Sequence, residues 1–445
     1  MQMKNKVKSE KGIMTMYVTI AVVTFTIILV ALFSLAVATR RNQIKTLIKV
    51  KEVYEQDNNK KEQIYLAKKE QIERQLPRTK DTVPYYPDDT FEKDPDTNLN
   101  DGLVIRDSNG NEYVWIEVPK SLYADSSYNT KTTTADQKPT KSTDYDKIEY
   151  CLHKYTEDYR KKSNGTLTSF TDEYPSDKVL AGTGLTSEQY TALKQKMLKS
   201  VYENGGFWIG RYEAGIAENR TSKEIDLATA SAPLSTSKTG TEENPIYPYP
   251  YTYVTCSQAQ ELASKLSTGK SYTSSLMFGV QWDLVLKHIE TKEVEKGTAL
   301  ATIQSALRTD SKDWGNYKNA SFTINRGKYA KDGALSSAWN NYNTALANCV
   351  TYANGKSTKL SASSSSNSIL LTTGASDACK KMNIYDLAGN VWEWTLEYSA
   401  NTGNPCASRG GSYGGIGSGY PASYRSYGYT TDSSGYIGYR PSLYK

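Results

Sequence analysis

The strongest metal-ligating and nucleophilic groups in this 445-residue chain are two histidines, His153 and His288, and five cysteines, Cys151, Cys256, Cys349, Cys379 and Cys406. A Cys/His metal site needs its ligands clustered at short spacing. No cysteine here lies in a CxxC pair or beside a histidine, and an odd count leaves no closed disulfide framework. Packed or loosely exposed thiols are what this spacing leaves. His288 sits in a helical stretch with Trp282 and reads as structural. No catalytic set and no metal ligands are expected, and the chain is read as not an enzyme.

What the residue types offer instead is contact. Residues 398–444 contain no Lys, Glu, Gln, Met or Trp, although all five occur upstream. Tyr413, Tyr420, Tyr424, Tyr427, Tyr429, Tyr436, Tyr439 and Tyr444 are interleaved with Gly and Ser. Tyr supplies large, rigid, amphipathic contact at low entropy cost, and Ser and Gly supply adaptability, as in antibody paratopes. The competing reading is that such richness is ordinary for closing loops.

The elements that must position this tail lie in residues 383–445. Three anchors stand out there: GNVWEW (389–394), RGGSY (409–413) and IGYR (437–440). GNVWEW predicts a half-buried strand after a Gly-Asn turn. Gly410 and Gly411 suit a backbone that turns or passes close to another strand.

These anchors, in this order, resemble the formylglycine-generating enzyme (sulfatase-modifying factor) superfamily. Its last third runs GLYDMxGNVWEW, RGGSW or RGGSY, an Arg-containing strand, then GFR; here the run is NIYDLAGNVWEW, RGGSY, PASYR and IGYR. The resemblance extends to FWIGRYE (207–213), to a helix with Trp282 (275–290) and to Trp314-Gly315-Asn316. It covers about 102–120 and 205–445, with 121–200 as an insertion. It implies an α+β, C-type-lectin-like fold over 102–445. In that fold Arg409, Arg425 and Arg440 brace buried loops, with Glu393 and Asp386 as partners, and Trp392 and Trp394 are scaffold. The family's oxidases carry a copper-binding cysteine pair just after RGGS. Here no cysteine follows Arg409, and Cys406 precedes it. Its sulfoxide synthases need three iron-binding histidines, and this chain has two. The resemblance therefore implies the fold without the chemistry. No cofactor is expected; a structural calcium stays open, without an EF-hand-like loop.

The tail also resembles the variable region of diversity-generating retroelement target proteins, which share this fold and display variable residues after RGGS. Adenine mutagenesis of Asn codons there never yields Lys, Glu, Gln, Met or Trp, the five types missing here. The resemblance implies a variable ligand-binding face of Tyr413, Gly414, Gly415, Ile416, Gly419, Tyr420, Ser426, Tyr427, Gly428, Tyr429, Asp432, Ser433, Ser434 and Tyr436. RGGS, residues 421–425 and IGYR would be fixed scaffold.

Upstream, residues 1–75 carry 14 Lys/Arg against 7 Asp/Glu, leaving 40 against 41 in the rest. A nearly neutral body argues against a nucleic-acid partner, which needs a clustered basic face. Residues 17–39 are 23 in number and uncharged; roughly 20 span a bilayer as a helix. Residues 1–39 are thus a basic leader and transmembrane helix. Lysines and arginines flank the span on both sides, so charge counting does not choose an orientation. Ile44, Leu47, Ile48, Tyr54, Ile64, Ala67, Ile72 and Leu76 recur at roughly helical spacing, predicting an amphipathic extension over 40–76. The basic leader, Gly12, apolar span and extension resemble a type IV pilin-like N-terminus. That implies cleavage after Gly12 to release Ile13, although Tyr17 stands where that family has glutamate.

Residues 77–101 read as a linker or an extended strap. A strand is expected over GNEYVWIEVPK from Gly110, another over 205–215, and helices after Thr186 and Thr255, each with a Gln three residues on as a capping box. A flexible serine-rich loop is expected over 361–368. The expected protein is membrane-anchored by a single pass, with its C-terminal domain outside the cell, binding another cell, a phage or a macromolecule. A minor pilin or pilus-tip subunit with a lectin-like head, in contact with pilus subunits, is the second expectation.

Overall fold

The computed structural model describes residues 2–55, 75–129, 137–161, 166, 168–175, 182–241, 243–331, 333, 335 and 338–445, with side chains omitted for 2–11 and 49–55. Two compact units divide the chain, residues 1–75 and 76–445.

The first unit is one helix, α1 (Gln2–Glu55). Its Gly12–Ile48 portion is long and apolar enough to cross a membrane, with a stretch of mean hydropathy 2.8. Five hydroxyls in it, on Thr19, Thr24, Thr26, Thr39 and Thr46, donate to the carbonyl four residues earlier at 2.7–2.8 Å. Those bonds satisfy the threonine hydroxyls within the helix, as an apolar surrounding requires. Gly12 and Ile13 lie inside the helix without a break. Of the expected 40–76 extension, residues 56–74, with Ile64, Ala67 and Ile72, lie outside the described residues. Leu76 is not part of that helix: it is buried in the second unit against Phe91, Trp115 and Trp208.

The second unit mixes helix and sheet. Its main strands are β1 (Glu92–Lys93), β2 (Val104–Arg106), β3 (Glu112–Glu117), β4 (Phe170–Thr171), β5 (Gly206–Gly210), β6 (Thr273–Leu276), β7 (Trp392–Ser399), β8 (Cys406–Arg409), β9 (Arg425–Gly428), β10 (Ile437–Tyr439) and β11 (Pro441–Tyr444). Its helices include α2 (Tyr145–Tyr155), α3 (Glu157–Arg160), α4 (Ser187–Asn204), α5 (Cys256–Ser264), α6 (Gly279–Glu295) and α7 (Leu300–Arg308). One sheet has the order β1-β2-β3-β5-β11-β6, so β11 lies inside it, between β5 and the edge strand β6.

β3 and β5 are buried on both faces. Val114 and Ile116 of β3 face the main helix-covered core, while Tyr113 and Trp115 face a second core with Trp208 and Phe91. Residues 77–101 cover that second face, taking the strap form of the two expected. Trp115 Nε1 donates to Thr82 Oγ1 at 2.7 Å, and Trp208 Nε1 donates to the Tyr85 carbonyl at 2.8 Å.

Both capping boxes form. Thr186 and Gln189 open α4, and Thr255 and Gln258 open α5. Gly205 ends α4 in the left-handed region, where a side chain would strike the Asp81 carbonyl. The described residues of 121–200 join the core through Leu152, Tyr159, Tyr190 and Met197. The hydroxyl of Tyr190 donates to the Leu396 carbonyl at 2.9 Å, tying α4 to β7. Within 361–368 a short 3-10 turn spans Ser365–Asn367.

The second sheet carries the tail. Its order is β9-β8-β7-β10, with β4 also pairing β7. β7 runs antiparallel to β8 and parallel to β10. GNVWEW was expected to be half-buried; β7 is buried almost throughout, because sheet partners, α5 and α6 enclose it.

Candidate ligand-binding face

The tail loops hang from buried guanidiniums. Arg409 ends β8 and Arg425 starts β9, directly opposite each other in the ladder. Both bind the same two carboxylates. Arg409 reaches Asp283 at 2.9 Å and Glu397 at 3.2 Å, and Arg425 reaches Glu397 at 2.8 Å and Asp283 at 2.5 Å. Arg409 also donates to the carbonyls of Ser423 and Tyr424, and Arg425 to that of Tyr159. Two charges of each sign, enclosed and hydrogen-bonded, form a neutral brace joining α6, β7, β8 and β9.

Arg440 is a separate clamp. It holds Glu393 through two nitrogens at 3.1 and 2.6 Å and donates to the carbonyls of Gly210 and Tyr385. Of the two carboxylates expected to serve the arginines, Glu393 does so. Asp386 does not: its Oδ2 accepts from the Gly374 N–H at 2.7 Å. Burial pushes the Asp386 carboxyl up to about 7. Glu213 is buried nearby, accepting from Asn390 and from the Val391 N–H, and desolvation with Asp386 and Glu393 around it pushes it well above the usual carboxylate range.

RGG is a conformational requirement. Gly410 and Gly411 have φ of +89° and +82°, and a Cβ on either would sit 2.7 Å from the Leu387 carbonyl oxygen or 2.5 Å from that of Tyr420. Only glycine fits both constraints.

On this frame the tail exposes Ile416, Tyr420, Tyr424, Tyr427, Tyr429 and Tyr436, with 37–57% of each accessible. Trp392 is half-buried, meets Tyr420 edge to face at 5.3 Å and lies 5.9 Å from Tyr424. A cleft of about 320 Å³ is lined by Ser365, Trp392, Ser412, Gly414, Gly415, Tyr420, Ser426 and Tyr436. Five of the expected contact residues therefore converge on one cavity. Gly419 and Ser433 are exposed beside it in sequence, and Asp432 and Ser434 are half-buried. Asp432 accepts from the Tyr429 N–H, and Ser434 Oγ from the Tyr436 N–H, so both shape loops.

Two expected contacts present no surface. Tyr413 is buried, its ring stacked on Tyr436 at 4.7 Å. Gly428 is buried in β9, where a Cβ would crowd Asp432 and Trp394. Conversely, Trp392 was expected as scaffold yet lines the cleft. As the first residue of β7 it is less enclosed than Trp394, whose Nε1 donates to the Val254 carbonyl. Ser412 and Tyr424 were likewise expected as scaffold, within RGGS and 421–425, and Ser365 as part of a serine-rich loop; Ser412 and Ser365 line the cleft and Tyr424 is exposed beside Trp392.

The remaining chemistry-bearing groups lie elsewhere. His288 is buried, its Nδ1 accepting from the Glu117 N–H, and desolvation lowers it to about 3. Among the described residues Glu149, His153 and Asp172 bring ligand atoms within 4.8 Å of one another. Sequence reasoning missed this cluster: Glu149 and His153 stand one turn apart on α2, but Asp172 reaches them from a separate segment. Its carboxylates are already engaged: Lys194 Nζ stands 3.0 Å from Glu149, and Asp172 accepts from the N–H groups of Gly279 and Val280 at the start of α6. All five cysteines are buried and unbridged, and the Cys256 thiol donates to the Thr395 carbonyl at 3.5 Å.

No protein-family profile matches the chain. No curated protein matches it either. Among solved structures it is similar to the crystal structure of CarF, at a TM-score of 0.30 and 14% identity over 54% of this chain and 86% of that one. A likeness at that level carries neither fold nor function across.

Proposed function

We propose that the chain is a membrane-anchored surface protein that binds a macromolecular or cell-surface ligand through the face formed by residues 414–436. The observation that carries this reading is the exposure of six large side chains, from Ile416 to Tyr436, on loops hung from a buried Arg/carboxylate brace. Exposed aromatic clusters of this kind mark interaction sites. α1 supports single-pass anchoring, and the binding unit lies outside the cell.

Within this reading the globular unit is a non-catalytic, C-type-lectin-like relative of the formylglycine-generating enzymes. The placement of β11 inside its sheet, the Gly410-Gly411 turn and the Arg440–Glu393 clamp all support it. An oxidase of that type has the least support, since no cysteine follows Arg409. The tail is a diversified face of the retroelement-target kind, with its missing residue types as support. A pilus-head role is the second reading, favoured by α1 continuing as helix well past the roughly 20 residues a bilayer needs.

The test is capture of intact bacterial cells and phage particles by the full-length protein in nanodiscs. Capture by the wild type and its loss in Tyr420→Ser/Tyr427→Ser/Tyr429→Ser supports the reading. Equal capture by the triple variant refutes it.

A further inference from the structure

Every side chain lining the cleft is uncharged. Its indole N–H (Trp392), two phenol hydroxyls (Tyr420, Tyr436) and three serine hydroxyls (Ser365, Ser412, Ser426) have no hydrogen-bond partner in the protein among the described residues. Trp115, Trp208, Trp282, Trp314 and Trp394 each bond their indole N–H within the fold, whereas Trp392 and Trp339, among the described residues, do not. The cleft walls are aromatic: Trp392 and Tyr420 stand at 75° to each other, and Tyr436 has one face backed by Tyr413.

These features select a ligand class. An ionised group would give up hydration with no counter-charge among the lining residues. A purely apolar ligand would cover six polar groups without satisfying them. A ligand that fits must offer flat C–H faces to the rings and several neutral hydroxyls to the polar groups. A pyranose has that composition, and about 320 Å³ is at the small end of ligand pockets, with space for about one or two sugar rings. We propose that the cleft is a cation-independent binding site for neutral saccharides. The site lacks any carboxylate to hold a bridging metal. The inference rests on the surface-binding reading above and specifies its ligand.

The experiment is saturation-transfer NMR on the full-length protein in nanodiscs, with maltose, cellobiose, lactose, chitobiose, mannobiose and sialyllactose as probes, with and without EDTA. Saturation of ring C–H protons on at least one neutral disaccharide, unchanged by EDTA, is expected. Tyr420→Ala and the milder Ser426→Ala should weaken it by about tenfold or more, and Tyr352→Ala, exposed outside the tail, should leave it unchanged. Because Ser426→Ala removes only a hydroxyl from β9, it keeps the test valid if Tyr420→Ala disturbs the loops. Absence of transfer to every neutral sugar, transfer only with added calcium, or transfer indifferent to both variants overturns the proposal. In the last three cases, cell capture that still depends on the tail tyrosines leaves the surface-binding reading standing; loss of capture dependence removes both.

Discussion

Trp392 and Tyr420 meet edge to face, ring centroids 5.3 Å apart, although 28 positions separate them along the chain. Trp392 belongs to a strand enclosed by the sheet, and Tyr420 to a loop that follows the RGG turn. The pair thus joins fixed frame to exposed loop, and the cleft lies at that junction. A binding face needs both parts: rigid anchors and replaceable surface.

The brace should be the costly part to alter. Arg409→Ala or Arg425→Ala leaves one guanidinium to face two buried carboxylates, an uncompensated buried negative charge, and a loss of about 3–5 kcal/mol is expected. Arg409→Lys should not restore it, since an ammonium cannot bond both carboxylates and two carbonyls in that plane. Tyr427→Ser and Tyr429→Ser, at exposed positions, should change stability by only about 0.5 kcal/mol. Urea unfolding of the set, followed by tryptophan fluorescence, measures the contrast.

Asp386 should make stability fall as pH rises. Its folded-state pKa is raised by burial from 3.8 to about 7, so its contribution is full below about pH 4 and is lost as pH climbs through 7. His288, lowered to about 3, acts in the opposite sense, reducing stability as pH falls below its unfolded value of 6.5. Comparing wild type with Asp386→Asn cancels the histidine. The melting temperature of the variant should gain on wild type between pH 4 and 7, and run parallel to it above. A constant gap across that range would contradict the assignment.

The apolar helix predicts membrane retention. The full-length chain should resist carbonate extraction, and replacing Leu29 and Phe33 by Asp should release it, each charge costing about 2.5–3.5 kcal/mol at the helix centre. Intact mass then separates the two anchoring readings. An N-terminus at Ile13 indicates pilin-type processing after Gly12, and one at Met1 a plain signal anchor.

Sequencing the locus in several isolates tests diversification. Differences should concentrate at exposed tail positions such as Ile416, Tyr420, Tyr427, Tyr429 and Ser433, with a downstream near-repeat differing at adenines. Tyr413 and Gly428, buried on Tyr436 and Trp394, should stay fixed with Arg409, Gly410 and Gly411. An invariant tail without a repeat would remove diversification and leave fixed binding.

Much of the frame was legible because it follows local rules. Thr186 and Thr255 with their Gln partners predict the two helix starts, and the Gly-Asn and Gly-Gly pairs predict turns that positive φ bears out. The site was legible only in part. Composition pointed to the tail tyrosines, but which of them face outward depends on tertiary packing: Tyr413 stacks inward while Tyr427 stands clear. Trp392 has the same residue type as Trp394 two positions on, and only the strand's end distinguishes them. Asp283, 126 positions from Arg409, carries no sequence mark of its partnership. For 77–101 the sequence left linker and strap open, since Phe91 and Tyr85 are too sparse to give a period.

The account's central claim is that the ligand sits on the tail face, and tyrosine footprinting measures this directly. The full-length protein in nanodiscs would be iodinated free and with captured cells or phage, and each tyrosine read by mass spectrometry. The account predicts protection of Tyr420, Tyr427, Tyr429 and Tyr436, with Tyr352, 44% exposed outside the tail, labelled equally in both states. Protection of Tyr352 with the tail tyrosines still reactive would contradict it.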